Sequence, residues 1–368
     1  MIKISSSSCV TYDFDHIDEV VNKDWLGPGK YVDAIEKYME KRLGRPFVLV
    51  NNGTNAIQLA LKMLNLPKGS KVIVPSFTFV GCVNAIILEG LTPIFCDVSE
   101  EDGNITKKTI KDSWQKGVRA ILAVHYGGKP CDMLELSNLG VPIVEDAAHA
   151  IDSKINEKFC GTIGDVGCFS FDPIKNISSP DAGGLVLKDE KSAALARSLR
   201  HCGLNQTSFS ASSKKKIWWH HKVVGVFQKC IPNDISAGAI LSQMKRLNEL
   251  QKKRKNIWDF YEENLSGTKI QLPSLPESNM QHSYFTYLIR SKKRNELANF
   301  LLENKIYSTL RWYPLHKQKI FENFAHIDLK STERLSRIGL NLPVHTKMNE
   351  ADASKVVRTI KKFLNGMT

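Results

Sequence analysis

Three short segments hold residue types able to do chemistry. Asn52-Gly53-Thr54-Asn55 lies between a short apolar run and a helical pattern. Glycine lets backbone approach a ligand closely, and free N–H groups at a helix start attract phosphate. Gly-Thr at such a turn equally serves as a helix cap. Glu145-Asp146-Ala147-Ala148-His149 follows the apolar run VPIV. A carboxylate at the C-terminal end of a buried parallel strand stands where α/β proteins bind ligands; an acid there also fits as a cap on a following helix. Ser170-Phe171-Asp172-Pro173-Ile174-Lys175-Asn176 comes after Gly164-Asp165-Val166-Gly167. In a largely apolar strand-loop a lysine amine loses its proton more easily and becomes a Schiff-base nucleophile. Alone, Lys175 would read as a surface residue.

Taken together the segments describe pyridoxal phosphate, which needs an amine for its aldehyde, a phosphate cup, an acid beside its pyridine nitrogen and a ring to stack on. Lys175 supplies the amine and Asp146 the acid. Gly53, Thr54 and Asn55 with Ser170 form the cup, and Phe79 of PSFTFV is the stacking ring.

The elements that must position these groups are legible from periodicity. Val32, Ile35, Met39 and Leu43 fit one helix face, and Ala56, Leu59, Ala60 and Met63 another, in a helix beginning near Thr54 or Asn55. Extended runs are expected at Phe47–Val50, Lys71–Val74, Thr92–Cys96, Val118–Val124 and Val141–Val144, the last two continuously apolar as in parallel sheets. Strands and helices alternating in this way predict an α/β layered domain. Residues 165–187 read as short strands between Gly, Pro and Ser, and 205–222, with Lys214-Lys215-Lys216 and Trp218-Trp219, as a long loop. Residues 239–266 contain neither Gly nor Pro and predict one long helix bridging two units. A strand over Tyr284–Ile289, a helix over Glu296–Glu303 and a last helix through Val356, Ile360 and Leu364 complete a smaller α+β unit. The expected division is residues 1–245, large and cofactor-binding, and 246–368, small.

The chain has 368 residues, 42% hydrophobic and 24% charged, an ordinary globular composition that excludes disordered and fibrous classes. No stretch has the length of a membrane span and the start lacks a signal-peptide core, so a cytoplasmic protein is expected. Eight cysteines without a CxxC pair read as reduced thiols, with no metal site. A formal charge of +13 favours anionic partners or is simply a solvated basic surface.

Several motifs carry a resemblance. NNGTNAIQLAL, VPSFTFVGCVNAI, PIVEDAAHA, GDVGCFSFDPIKN, YPLHKQ and LNLPVH, with Trp25-Leu26-Gly27-Pro28-Gly29 before them, resemble in order and spacing the DegT/DnrJ/StrS sugar-aminotransferase family, almost end to end. The resemblance implies a fold-type-I aminotransferase, with a mostly parallel sheet between helices and a smaller C-terminal α+β domain. It implies Lys175 as the Schiff-base lysine and Asp146 as partner of the pyridine nitrogen. His149 would lie near the ring or its phenolic oxygen, with Thr54 and Ser170 on phosphate. The family moves an amino group, usually from L-glutamate, to a nucleotide-linked ketosugar. It works as a homodimer with shared sites, and the diphosphate of such a substrate suits the basic charge. Residues 308–316 (STLRWYPLH) resemble the branch acting on 4-keto-6-deoxyhexoses, which implies a dTDP-4-keto-6-deoxyhexose and surface-polysaccharide or glycoconjugate biosynthesis. A 3-ketosugar remains the alternative.

The chain departs from the pattern at four places. Asp172 stands where a non-acidic residue is usual. TTGEGG is replaced by the longer SSPDAGG. The segment whose asparagine reaches the partner's phosphate aligns with Gln228-Lys229-Cys230-Ile231-Pro232, making Lys229 the expected cross-subunit cation. The loop around Lys214–Lys222 has no counterpart. Lys175 argues against a related dehydratase, where histidine replaces the lysine. Retention of Lys175 and Asp146 argues against a non-catalytic regulator. Trp218-Trp219 alone does not make a nucleic-acid platform.

Overall fold

A computed structural model describes residues 1–205 and 221–366; the lysine run and tryptophan pair of the expected loop lie outside the described residues. Seven strands build the main sheet: β1 (Phe47–Val50), β2 (Lys71–Pro75), β3 (Thr92–Cys96), β4 (Val118–Val124), β5 (Ile143–Asp146), β6 (Val166–Ser170) and β7 (Gly183–Val186), in the order β1-β7-β6-β5-β4-β2-β3. Pairing from β6 through β3 is parallel, whereas β7 runs antiparallel to both its neighbours. At the edge, Phe47 faces Val186 and Val50 faces Gly183.

The apolar runs have a two-sided use. Val48, Val72, Leu122, Val144 and Leu185 face one core, against α2 (Gly53–Met63) and α3 (Val80–Leu88), with α1 (Lys30–Leu43) on the other side. Phe47, Leu49, Phe169 and Val186 pack with α1, and Ile73, Ile94, Ile121 and Ile143 line a further core on that side. Successive strand residues point to opposite faces, so a sheet covered on both sides needs uninterrupted apolar strands. This is the expected fold-type-I architecture.

The single long helix expected over 239–266 is two helices, α4 (Asp234–Lys245) and α5 (Leu247–Leu265). Between them Arg246 leaves helical geometry at φ −117°, ψ 23°, and its guanidinium pairs with buried Asp13 at 2.6 Å. No glycine or proline marks the break. Ala237, Ile240 and Met244 belong to the α1 core, but Trp258, Tyr261 and Leu265 pack into the C-terminal core. The C-terminal unit pairs β8 (Tyr287–Arg290) with β9 (Gly339–Leu342), antiparallel, and adds α6 (Arg294–Glu303) and α7 (Glu350–Asn365). Packing also crosses position 246: Ile2 joins the C-terminal core, while Leu315, Phe321 and Leu329 join the large one.

The strand expected over 284–289 begins only at Tyr287. Tyr284 sits at φ 50°, which breaks the extended run, and the Phe285 N–H donates to the Gly127 carbonyl at 3.1 Å. The apolar first half of that run is a wall beside the site.

Candidate functional site

The C-terminal ends of β5 and β6 and the start of α2 enclose a cavity of about 230 Å³. Its wall includes Gly53, Thr54, Phe79, Asp146, His149 and Lys175, with Ser170 beside them. The sequence-predicted residues are thereby brought together, apart from Asn55 and Lys229.

Asp146 is the last residue of β5, in register with Val124 on one side and Cys168 on the other. It is buried. The Ala148 N–H donates to Oδ1 at 3.0 Å and the Cys82 thiol to Oδ2 at 3.3 Å. Residues 147–153 form turns, so there is no helix for this carboxylate to cap. The preceding Glu145 points the other way, fully buried. It accepts from His125 Nε2 at 3.0 Å and from the N–H groups of Gly161, Ile163 and Gly164. These bonds hold its carboxyl below the usual range despite burial, and they anchor the strand end that carries Asp146.

Lys175 follows β6 in a tight turn. Asp172 shapes the turn by accepting from the Ile174 N–H through Oδ1 and from the Lys175 N–H through its carbonyl. The next residue, Asn176, is pinned by donating to the Ser283 carbonyl at 2.6 Å and Gln251 at 3.1 Å. Lys175 is half-buried as a residue, with its amine inside the cavity wall, 5.2 Å from the Phe285 ring centre. Burial pulls the amine down to about 8 from its ordinary 10.5; Asp146 opposes this and Arg311 adds to it. A fair share of neutral amine is therefore present at neutral pH, which carbonyl attack requires.

His149 stacks on Phe285 with ring centres 3.9 Å apart at 13°. Burial, with the nearby charges of Lys175 and Arg311, holds it well below the ordinary histidine range, so it is neutral. Its Nδ1 is buried without a hydrogen-bond partner.

At the opposite end, Asn52 caps α2 by accepting from the Asn55 N–H at 2.8 Å. That leaves Gly53 and Thr54 in the first turn, whose N–H groups have no intrahelical acceptor. Gly53 is required here, because a Cβ would lie 2.7 Å from Ser170 Cβ. Thr54 and Ser170 hydroxyls thus flank an N-terminus suited to a dianion. Asn55 stands outside the wall: its amide donates to Asn51 and its carbonyl accepts from Gln228. Lys229 is exposed, bridged through its backbone to His201 and away from the cavity. Phe79 is 47% exposed at the rim, 5.3 Å from Trp312.

Sequence reasoning missed two groups at the site. Cys82 lies one turn into α3, where nothing in VGCVNAI announces contact with Asp146. Asp181 also lines the cavity, its carboxyl raised by burial and by Asp172; its only signal was the unusual SSPDAGG.

An unpartnered ring nitrogen, a depressed lysine, an acid with no helix to cap and a helix start with open N–H groups fit pyridoxal phosphate. A match to the family model of the DegT/DnrJ/EryC1/StrS aminotransferases covers residues 10–361. The dTDP-4-dehydro-2,3,6-trideoxy-D-glucose 4-aminotransferase of Saccharopolyspora spinosa is 32% identical, over 98% of this chain and 96% of its own. The UDP-N-acetyl-3-dehydro-alpha-D-glucosamine 3-aminotransferase of Acidithiobacillus ferrooxidans is 31% identical, over 86% and 83%. The crystal structure of the aminotransferase TlmJ from Streptoalloteichus hindustanus superposes with a TM-score of 0.93, at 30% identity over the whole of both chains. Sequence, fold and site therefore agree: the chain belongs to the DegT/DnrJ/EryC1/StrS aminotransferase family, whose enzymes work with pyridoxal 5'-phosphate.

Proposed function

We propose that this protein moves an amino group from L-glutamate to a nucleotide-linked ketosugar, a dTDP-4-keto-6-deoxyhexose, for surface-polysaccharide or glycoconjugate synthesis. The observation that carries the reading is the Lys175 amine, pulled down to about 8 by burial in a cavity that also holds the Asp146 carboxylate. The curated relative from Saccharopolyspora spinosa, named for a dTDP-4-keto substrate, supports the choice of sugar. The relative named for a 3-dehydro sugar keeps 3-amination as the second reading.

Thr54, Ser170 and the α2 N–H groups would hold the phosphate, Asp146 the pyridine nitrogen, and Phe79 one ring face, with His149 beside the ring. The bound cofactor supplies an electron sink for the carbanion left when an α-proton departs. Asp146 keeps a proton on the pyridine nitrogen by offering a carboxylate acceptor. The Lys175 amine takes the proton from one carbon and returns it at another, which suits a group that titrates near 8. Neutral His149 adds no charge beside the ring.

In this reading residues 1–245 form the cofactor-binding unit and 246–368 the smaller unit. The active form is a homodimer in the cytoplasm; among the described residues no helix is long and apolar enough to cross a membrane. Assay of the purified protein with L-glutamate against a panel of nucleotide-linked 3- and 4-ketosugars tests the reading. Amination of a dTDP-4-ketosugar is expected. Turnover confined to 3-ketosugars would select the second reading, and no turnover with any of them would overturn both.

A further inference from the structure

Most buried arginines of this protein have evident work. Arg200 pairs with Glu36, Arg246 with Asp13, and Arg254 donates to the Val344 carbonyl and to Ser8. Arg311 is different. Its backbone is fixed on both sides: its N–H donates to Asn341 Oδ1 at 2.8 Å and its carbonyl accepts from the Tyr126 hydroxyl. Its side chain, in a residue only 6% exposed, makes no hydrogen bond or ion pair among the described residues, and Nη1 is buried without a partner. A buried guanidinium in that state is costly unless something else supplies the acceptor.

The position of Arg311 says what the acceptor is. Its Cζ lies 5.0 Å from the centre of the Phe285 ring, and the Lys175 amine lies 5.2 Å from the same ring. The guanidinium is close enough to Lys175 and His149 for its charge to disfavour protonation of both. An aminotransferase must bring the amine-bearing carbon of its donor to the place served by Lys175. In an amino acid a carboxylate is bonded directly to that carbon. The diphosphate of a nucleotide sugar is separated from the reacting carbon by much of the sugar ring, so it falls farther away. A planar guanidinium matches a carboxylate through two parallel hydrogen bonds.

We propose that Arg311 binds the α-carboxylate of the amino donor and thereby selects an amino acid for the first half of the reaction. This rests on the aminotransferase reading above. Phe285 completes the arrangement: when the donor has left and a neutral ketosugar enters the same site, the aromatic face still favours the guanidinium. One arginine can then serve a site that alternates between an anionic and an uncharged reacting end.

The test uses the purified holoenzyme and follows the cofactor's absorbance as L-glutamate converts it to its amine form. L-glutamate is compared with L-isoglutamine, in which an amide replaces the α-carboxylate. Wild type is expected to need about 100-fold more isoglutamine for the same rate, the effect of one charged bidentate pair. In Arg311→Met that preference should shrink to within about threefold, with Arg311→Lys between the two. Glutarate, which has no amine, should perturb the cofactor spectrum of wild type and not that of Arg311→Met. Retained cofactor and an unchanged melting temperature show that the variants are folded. If Arg311→Met keeps the full preference, or slows both donors equally, the proposal is overturned. If wild type ignores glutamate but accepts another L-amino acid, only the glutamate assignment falls, and that amino acid with its α-amide decides on Arg311.

Discussion

The Cys82 thiol donates to Oδ2 of Asp146 at 3.3 Å, and both residues are buried at the base of the cavity. Burial and the adjacent Asp146 charge push this thiol well above its ordinary range, so it stays protonated as a donor wherever the protein is folded. A thiol is a weak donor, which supports the carboxylate without taking much of its charge. Cys82→Val is expected to keep the cofactor but lower kcat about three- to tenfold, as Asp146 becomes harder to keep ionised. Cys82→Ser should stay within about twofold of wild type. The cofactor absorbance followed against pH checks the mechanism: its titration should move in the valine variant. An unmoved titration would mean that Cys82 only fills space.

Asp146→Asn should retain the cofactor through the phosphate cup while losing about 10²- to 10³-fold in turnover, because an amide cannot hold the pyridine proton as a carboxylate does. Steady-state kinetics with cofactor content measured on the same samples separates the two effects. Near-normal turnover would reduce Asp146 to a structural acid.

Borohydride should fix the cofactor to the peptide containing Lys175, and label on another lysine would refute the assignment. Lys175→Ala should lose about 10⁴-fold or more in turnover. The same lysine has a stability signature. Its amine titrates near 8 when folded and near 10.5 when exposed. Between those values the unfolded chain binds more protons, so stability rises with pH across that window; below 8 the full cost of the buried charge is present. Lys175→Met should therefore stabilise the cofactor-free protein at pH 7 by at most about 3 kcal/mol, and by nothing above pH 10.5. Urea titrations at the two pH values measure this.

Lys229, exposed within its own chain, is predicted to reach the other subunit's phosphate in a homodimer. The motive is its alignment with a cross-subunit asparagine, and a lysine suits a dianion at least as well. Lys229→Ala should weaken cofactor affinity. Mixing it with Lys175→Ala chains should restore activity, because one site in each mixed dimer regains its own Lys175 and a borrowed Lys229. Unchanged cofactor affinity in Lys229→Ala would refute the cross-subunit contact.

The cofactor site was legible where chemistry and element ends coincide. Asp146 at the end of an apolar strand and Gly53-Thr54 at the start of an amphipathic helix follow from local pattern, as do the strands Phe47–Val50, Thr92–Cys96 and Val118–Val124. What escaped the sequence depends on contacts between distant segments. The break at Arg246 is associated with a partner, Asp13, that no local pattern reveals. Tyr284–Phe285 reads as strand because its residues are apolar and aromatic, yet its conformation is set by hydrogen bonding to Gly127. Asn55 looked like part of the cup because it is adjacent in sequence. On a helix, however, successive residues point about 100° apart, and its side chain turns toward Gln228.

The placement of β1 has a consequence for biosynthesis. This strand is among the first parts of the large unit to leave the ribosome, but its only strand neighbour is β7, whose last residue is Val186. A nascent chain halted before that residue leaves Phe47–Val50 with no ladder to join. It also lacks Gly183, which packs directly against Asn52 and Gly53. Closing so long a loop is entropically costly and slow. The phosphate cup is thus encoded early and assembled late, and the growing polypeptide cannot capture its cofactor until the lysine that will hold it has already been translated.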